Sequence, residues 1–318
     1  MKAKHLLAGV SKPVSELALG TAHFANDQKD LWFDLLDRFA GDGGTTIDTA
    51  RIYGDSEDII GEWMGNNRDR MLICTKGGHG DHILPRENPE KIIETELIES
   101  LEHLQTDYID MYWLHRDNPE VPVGVILECL NEQVSCGRIR AFGGSNWTYN
   151  RVAQAEEYAS ENGLTGFAAV SNNLSLAVQS EPFYPGLVSC DEAGLHWHRE
   201  TGKPLFAWSS QARGFFTGNY RSRDLTQLSD RFLKRMAEVY CTDHNLERLD
   251  RAERLAKEKG NRTTVQIALA WLIGCPVDMV PVVGPRNETE LASCMEALSI
   301  QLTESERRWL NLETESID

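Results

Sequence analysis

Short apolar runs alternate along this chain with stretches whose apolar positions recur three and four residues apart. Leu17-Ala18-Leu19-Gly20-Thr21 predicts a buried strand, and Leu31, Phe33, Leu35, Leu36 and Phe39 predict a helix that Gly41 to Gly44 stop. Thr45-Thr46-Ile47 is a second, β-branched strand after the Gly43-Gly44 turn, followed by a short helix carrying Ile59, Ile60 and Trp63. Met71 to Thr75 predicts the third strand. Asn88-Pro89 reads as an N-cap and a first-turn proline for a helix with Ile93, Leu97, Leu101 and Leu104 on one face. Ile109 to Leu114 is the fourth strand. A helix opened by Pro122 and closed by Gly137 leads to the fifth, Ile139 to Gly144. A helix over 148–162, ended by Gly163, precedes the sixth strand, Phe167 to Val170. The seventh is Pro204 to Trp208, and the eighth is Met279 to Val283 despite Pro281. Between and after these last two, the pattern predicts a helix over 246–259, a capping box of Thr263 with Gln266, and a C-terminal helix capped by Thr303 with Glu306.

Eight strands alternating with helices predict one α/β domain over residues 1–318, a (β/α)8 TIM barrel, with 1–16 supplying a strand pair at its bottom. Two irregular stretches, 173–203 and 214–245, are expected as long loops at the opposite end, the first followed by a helix. The 318 residues suit that architecture. A formal net charge of −17 argues against nucleic acid or an anionic membrane surface as a partner. The seven cysteines are odd in number, scattered and mostly within apolar runs, which is thiol usage of a reducing compartment. With no apolar run near the ~20 residues of a membrane span and no signal-peptide core, a cytoplasmic location is the expectation. Oligomeric state is not legible.

In a barrel of this kind the C-terminal ends of the strands converge on one mouth. Asp48 ends the second strand, with Tyr53 in the loop beyond it; Lys76 ends the third and His115 the fourth. A phenol with an ordinary pKa near 10 needs help to act on a proton at neutral pH. A lysine ammonium favours its ionised form, an aspartate holds that lysine charged, and a neutral histidine can orient a carbonyl. Together they suit proton delivery to a carbonyl oxygen. The matching hydride has no side-chain source, so a nicotinamide cofactor is implied.

Asp48-Thr49-Ala50-Arg51-Ile52-Tyr53-Gly54, the strand-end Lys76 and His115, and Gly143-Gly144-Ser145-Asn146 resemble the corresponding motifs of the aldo-keto reductase family, along essentially the whole chain. The resemblance implies NAD(P)(H)-dependent reduction of an aldehyde or ketone. Tyr53 would be the general acid, Lys76 and Asp48 its tuning pair, and His115 the residue orienting the carbonyl. Ser145 and Asn146 would bond the nicotinamide carboxamide, with Ser171 where the family has a Gln. Trp208 would stack on the nicotinamide, and Ser209 and Arg213 would lie near the pyrophosphate. The segment from Trp208 departs from the family's Tyr-Ser-Pro-Leu-Gly pattern. Gly284, Arg286, Glu290 and Cys294 fall where the family holds the adenosine end. Arg286 favours a 2′-phosphate and Glu290 a ribose hydroxyl, and NADP(H) over NAD(H) is the family default.

Each tetrad residue alone has a plainer account as a turn, cap, solvated strand end or core residue; their joint placement at strand ends does not. Ser145-Asn146 is also ordinary turn chemistry ahead of a helix. Cys190, His196 and His198 fit no standard zinc spacing, so no metal is expected. His79, His82, Phe24, Trp113 and Trp147 sit in loops over the mouth, where lining a substrate pocket and ordinary loop packing are equally open. Two rival functions remain open: a lyase forming a Schiff base on Lys76, and a cofactor-sensing regulatory subunit with little turnover. The substrate would be read by loops 22–29, 116–121, 172–203 and 214–245, and the polar 214–245 stretch is compatible with a sugar-like carbonyl.

Overall fold

Eight parallel strands close into a ring in a computed structural model that describes residues 1–79, 84–221 and 230–317. Strands β1 (Ala3–Leu6) and β2 (Pro13–Ser15) form a separate antiparallel pair. The barrel strands are β3 (Ala18–Gly20), β4 (Thr46–Asp48), β5 (Leu72–Gly77), β6 (Ile109–Leu114), β7 (Ile139–Ser145), β8 (Ala169–Ser171), β9 (Leu205–Ala207) and β10 (Met279–Val283). Each pairs with the next in chain order, and β10 closes on β3. This is the predicted (β/α)8 barrel. Around it lie α1 (Lys29–Gly41), α2 (Ser56–Met64), α3 (Pro89–His103), α4 (Val123–Ser135), α5 (Tyr149–Asn162) and α6 (Glu192–Thr201). The later helices are α7 (Arg231–Tyr240), α8 (Asp243–Glu258), α9 (Thr264–Ile273), α10 (Glu288–Ala297) and α11 (Glu304–Leu310).

Side chains alternate across each strand, so every second residue points into the barrel. Leu72, Cys74, Met111, Trp113, Ala141, Ala169, Phe206 and Val280 make up that interior, with Trp113 edge-on to Phe206 at 5.2 Å between centroids. Each large apolar side chain so buried contributes about 1.5–3 kcal/mol relative to exposure. Gly143 makes room for Trp113: a Cβ there would lie 2.8 Å from the indole and 2.2 Å from the Ala169 carbonyl oxygen. At the bottom, Leu7, Val10 and Val14 of the β1–β2 hairpin join the same apolar cluster. Lys12 fastens the hairpin there, donating to the carbonyl oxygens of Arg68 and Met71, both at 2.8 Å, and pairing with Asp110.

The two predicted capping boxes form, at Thr263–Gln266 and Thr303–Glu306. Two local expectations do not. Asn88 sits in the left-handed region (φ 54°) and its side chain caps nothing, so Pro89 alone starts α3. The stretch 214–245 is not one loop, because its described part contains α7 and the first turn of α8. Their starts are set by Asp230 and Thr242, whose side chains accept from the Leu233 and Asn245 N–H groups. The charged composition masked an apolar face of Met236, Ala237, Val239 and Tyr240. Residues 222–229 of that stretch, and His82, lie outside the described residues.

Candidate active site

Continuing the strand alternation upward gives the top layer of the barrel. Leu72 and Cys74 point inward, so Lys76 does too; Met111 and Trp113 carry the same face to His115, Ala141 and Gly143 carry it to Ser145, and Ala169 carries it to Ser171. Asp48 follows Thr46 on the inner face of β4. The register aligns Ser145 with Ser171. The tetrad thus arises from strand period and length, with Tyr53 brought over by the turn after β4, in which the Tyr53 N–H donates to the Ala50 carbonyl oxygen at 2.9 Å.

Lys76 is 2% exposed and donates to Asp48 Oδ1 at 2.5 Å and to the Thr49 carbonyl oxygen at 2.7 Å. Its Nζ lies 5.4 Å from the Tyr53 ring centroid, and the Tyr53 ring stands edge-on to His115 at 5.8 Å. Burial lowers the Lys76 pKa, but Asp48 and Tyr53 outweigh it and leave the ammonium raised above its ordinary value. The Asp48 carboxyl is pushed up by burial, against the pull of Lys76. Tyr53 differs from expectation. Burial and the Asp48 charge raise its pKa, and Lys76, Arg213 and Arg116 recover only part of that rise. The phenol is therefore fully protonated at neutral pH, the state a proton donor needs. Burial first, then Lys76, His79 and Arg116, holds His115 well below the ordinary imidazole value, so its ring is neutral.

Helix α3 braces this mouth from outside. Glu96 Oε2 accepts the Gly78 N–H at 2.5 Å, in the loop that carries His79. Glu99 accepts from Arg51 Nε at 2.5 Å, in the turn that carries Tyr53, and Arg51 Nη1 reaches Glu96 at 3.9 Å.

On the other side of the mouth, Asn146 has φ 60° and ties three segments together. Its Nδ2 donates to the His115 carbonyl oxygen at 3.1 Å, its Oδ1 accepts the Val188 N–H at 3.2 Å, and its own N–H reaches the Ser171 carbonyl oxygen at 3.1 Å. Ser145 Oγ accepts from Asn146 Nδ2 at 3.2 Å. Ser171 Oγ, Asn172 Oδ1 and Trp208 Nε1 are buried with no hydrogen-bond partner among the described residues. Buried polar atoms in this state take their partners from water or from a ligand. Ser209 and Arg213 both have positive φ in the tight segment after β9, and Arg213 lies over the Phe183 ring at 4.3 Å with its Nε unpartnered. Beside Gly284, a Cβ would meet nothing within 4 Å. Glu290 does not stand free: its Oε2 accepts the Arg286 N–H at 2.8 Å, and Asn287 Oδ1 accepts the Glu290 N–H at 2.9 Å, closing the start of α10. Cys294 is buried, and its Sγ receives Gln211 Nε2 at 3.4 Å.

Several expected mouth residues are core instead. Trp113 is fully buried in the barrel. Trp147 is fully buried edge-on to Phe167 at 5.0 Å, and Phe24 stacks on Trp32 at 4.7 Å. His79 does reach the site, 4.6 Å from the His115 ring. His198 accepts from the Tyr149 hydroxyl at 3.1 Å and donates to the Lys203 carbonyl oxygen at 2.7 Å, a satisfied internal pair. Among the described residues, no group of three or more His, Cys, Asp or Glu side chains is placed to hold a metal, and no helix is long and apolar enough to cross a membrane. Residue-by-residue reading of the sequence missed Arg116, Glu96 and Glu99. The first was signalled by its place next to His115; the α3 pair looked like ordinary solvated helix charge.

A family model described as the Aldo/keto reductase family matches residues 16–310. Aldo-keto reductase str7 of Strobilurus tenacellus is 29% identical over 92% of this chain and 87% of its own length. Norsolorinic acid reductase of Aspergillus flavus is 29% identical over 93% of this chain and 76% of its own. Aryl-alcohol dehydrogenase [NADP(+)] of Phanerodontia chrysosporium is 27% identical over 97% and 84%. In three dimensions the chain is similar to a thermostable aldo-keto reductase in complex with the inhibitor epalrestat, with a TM-score of 0.72, 25% identity, and 99% and 100% of the two chains covered.

Proposed function

The chain belongs to the aldo/keto reductase family of NAD(P)-dependent oxidoreductases, and from that premise we propose that it reduces an aldehyde or ketone to an alcohol with Tyr53 as general acid. The observation that carries this reading is the buried Lys76–Asp48 pair against the Tyr53 ring, facing a neutral His115. The nicotinamide supplies the hydride when bound. Tyr53 Oη holds the proton that the carbonyl oxygen acquires as it gains negative charge. Lys76 then stabilises the phenolate left behind, because its ammonium cannot leave Asp48 and Thr49 without losing both bonds. His115, uncharged, orients the carbonyl without competing for the proton. The same pairing disfavours a Schiff base on Lys76, since a raised ammonium is not nucleophilic.

Ser171, with its unpartnered hydroxyl, and Ser145 beside it offer hydrogen bonds suited to a carboxamide, and Trp208 offers a ring face. Arg213 and the start of α10 suit phosphate oxygens. We assign NADP(H) as the preferred nucleotide: Arg286 is available at the surface, whereas Glu290 is engaged in bonding the backbone N–H of Arg286 and is less free to accept from a ribose. Relatives named as NADP(+) enzymes agree with that assignment. Aromatic aldehydes are the first substrates to try, given the aryl-alcohol dehydrogenase relative.

The test is NADPH and NADH oxidation at saturating carbonyl, with Tyr53→Phe alongside. Loss of general acid catalysis lowers kcat by about 10²–10⁴-fold, while nucleotide binding, read by tryptophan fluorescence, persists. Substantial turnover in Tyr53→Phe would overturn the assignment.

A further inference from the structure

Arg116, the residue after His115, is only 9% exposed, yet its guanidinium has no carboxylate partner among the described residues, and burial lowers its pKa. Its contacts are long, from Nη1 to the Pro185 carbonyl oxygen at 3.4 Å and from Nη2 to His79 Nε2 at 3.5 Å. Most other buried guanidinium groups are paired with a carboxylate; Arg248, far from the mouth, is the exception. Arg68 pairs with Asp110, Arg151 with Asp117 and Arg251 with Glu247, whereas Arg248, like Arg116, has only neutral oxygens, those of Asn245 and Asn311 at 3.3–3.5 Å. A desolvated cation without a counter-charge is costly to keep.

His79 adds a second unused donor. An arginine only donates, so Nε2 of His79, facing Arg116, is the acceptor nitrogen and the ring proton is on Nδ1. That Nδ1 is buried with no hydrogen-bond partner among the described residues. The His79 ring in turn lies against His115. Around Tyr53 there are thus three cations, Lys76, Arg213 and Arg116, against the single carboxylate of Asp48, in a chain whose net charge is −17. Lys76 is consumed by Asp48, and Arg213 stands on the nucleotide side. The positive charge left over is at Arg116, on the side of His115 and His79.

We propose that Arg116 and His79 form a subsite for a carboxylate carried by the carbonyl substrate, so that the preferred substrates are carboxylated aldehydes or ketones. The planar guanidinium fork matches a carboxylate in two bonds, and His79, accepting from Nη2, holds the fork in place. This rests on the reductase assignment above and specifies its substrate.

The test uses the full chain loaded with nucleotide and substrate pairs that differ by one charge: succinic semialdehyde against butanal, and the isomeric carboxybenzaldehydes against benzaldehyde. At least one charged member is expected to exceed its neutral partner in kcat/KM by about tenfold or more, chiefly through KM. Arg116→Met should bring that ratio close to one, and Arg116→Lys should restore part of it. In parallel, benzoate should bind the oxidised-nucleotide complex about tenfold more tightly than benzamide, a margin lost in Arg116→Met. Equal use of charged and neutral partners by the native chain would overturn the proposal, whether or not Arg116→Met folds. A parallel fall for both members in the variant would also overturn it, assigning Arg116 to the electrostatics of Tyr53. If no carbonyl is reduced, the reductase assignment fails, and the comparison of benzoate with benzamide still decides whether the subsite exists.

Discussion

Replacing Asp48 by Asn keeps an oxygen opposite Lys76 but removes the charge. Removing one partner of a buried ion pair costs about 3–5 kcal/mol, because the other charge is left uncompensated. Lys76 would retain its bond to the Thr49 carbonyl oxygen and a neutral acceptor in place of Asp48 Oδ1. The expected loss therefore sits near 3 kcal/mol for Asp48→Asn and nearer 5 kcal/mol for Asp48→Leu, large against a typical total of about 5–15 kcal/mol. The pH dependence gives a sharper check. In the native chain Lys76 is raised, so its contribution is complete below the unfolded lysine value of about 10.4 and is lost only as pH climbs through the higher folded value. Without Asp48, the leading influence that remains is burial, which lowers it. The folded lysine then releases its proton before the unfolded one does, and the variant gains stability as pH rises toward about 10.4, by at most about 1.4 kcal/mol per pH unit. Urea unfolding followed by tryptophan fluorescence from pH 6 to 10 measures both quantities. A loss under about 1 kcal/mol at pH 7, or a gap to the native chain that does not narrow above it, would refute the reasoning.

Asn146→Ala should cost about 2–3 kcal/mol in the same assay, since it loses the His115 and Val188 bonds and keeps a left-handed backbone. Asn146→Gly, which relieves the backbone alone, should be milder by about 1 kcal/mol; equal losses would argue against backbone strain. Glu290→Gln preserves an acceptor for the Arg286 N–H while removing a negative charge at the start of α10. NADPH affinity should rise about fivefold with NADH affinity little changed, and an equal change for both nucleotides in a fluorescence titration would refute the placement of the 2′-phosphate there.

The barrel was legible because its signals are local and repeated. Eight apolar runs ended by turns, two capping boxes, and polar residues closing buried strands all depend on neighbours a few positions apart. The tetrad was legible for the same reason: Asp48, Lys76 and His115 extend the inward face of their strands by one step. What escaped depends on distance along the chain. That Trp113 and Trp147 belong to the core follows from which face of the wall each one takes, and the hydrophobic pattern near a strand end does not distinguish a core ring from a pocket ring. Helix α7 was hidden because its four charged residues equal in number the four that it buries. The direction of the Tyr53 shift was misjudged because burial, which requires coordinates, outweighs the charges that a sequence displays. Arg116 carried no local mark of its missing counter-ion.

The bracing by α3 has a consequence for how this molecule can change. Arg51 and Gly78 are held by Glu99 and Glu96, three residues apart on α3, so the tyrosine turn and the histidine loop share one anchor. Residues 182–188 lie against Arg116 and are fastened elsewhere, by the Val188 N–H on Asn146, whose side chain also holds the His115 carbonyl oxygen. The mouth therefore has two separate fastenings, α3 under the Tyr53 turn and the His79 loop, and Asn146 between His115 and the 182–188 segment. A protein engineer who rewrites residues 182–187 leaves the α3 fastening untouched, provided the Val188 N–H stays on Asn146.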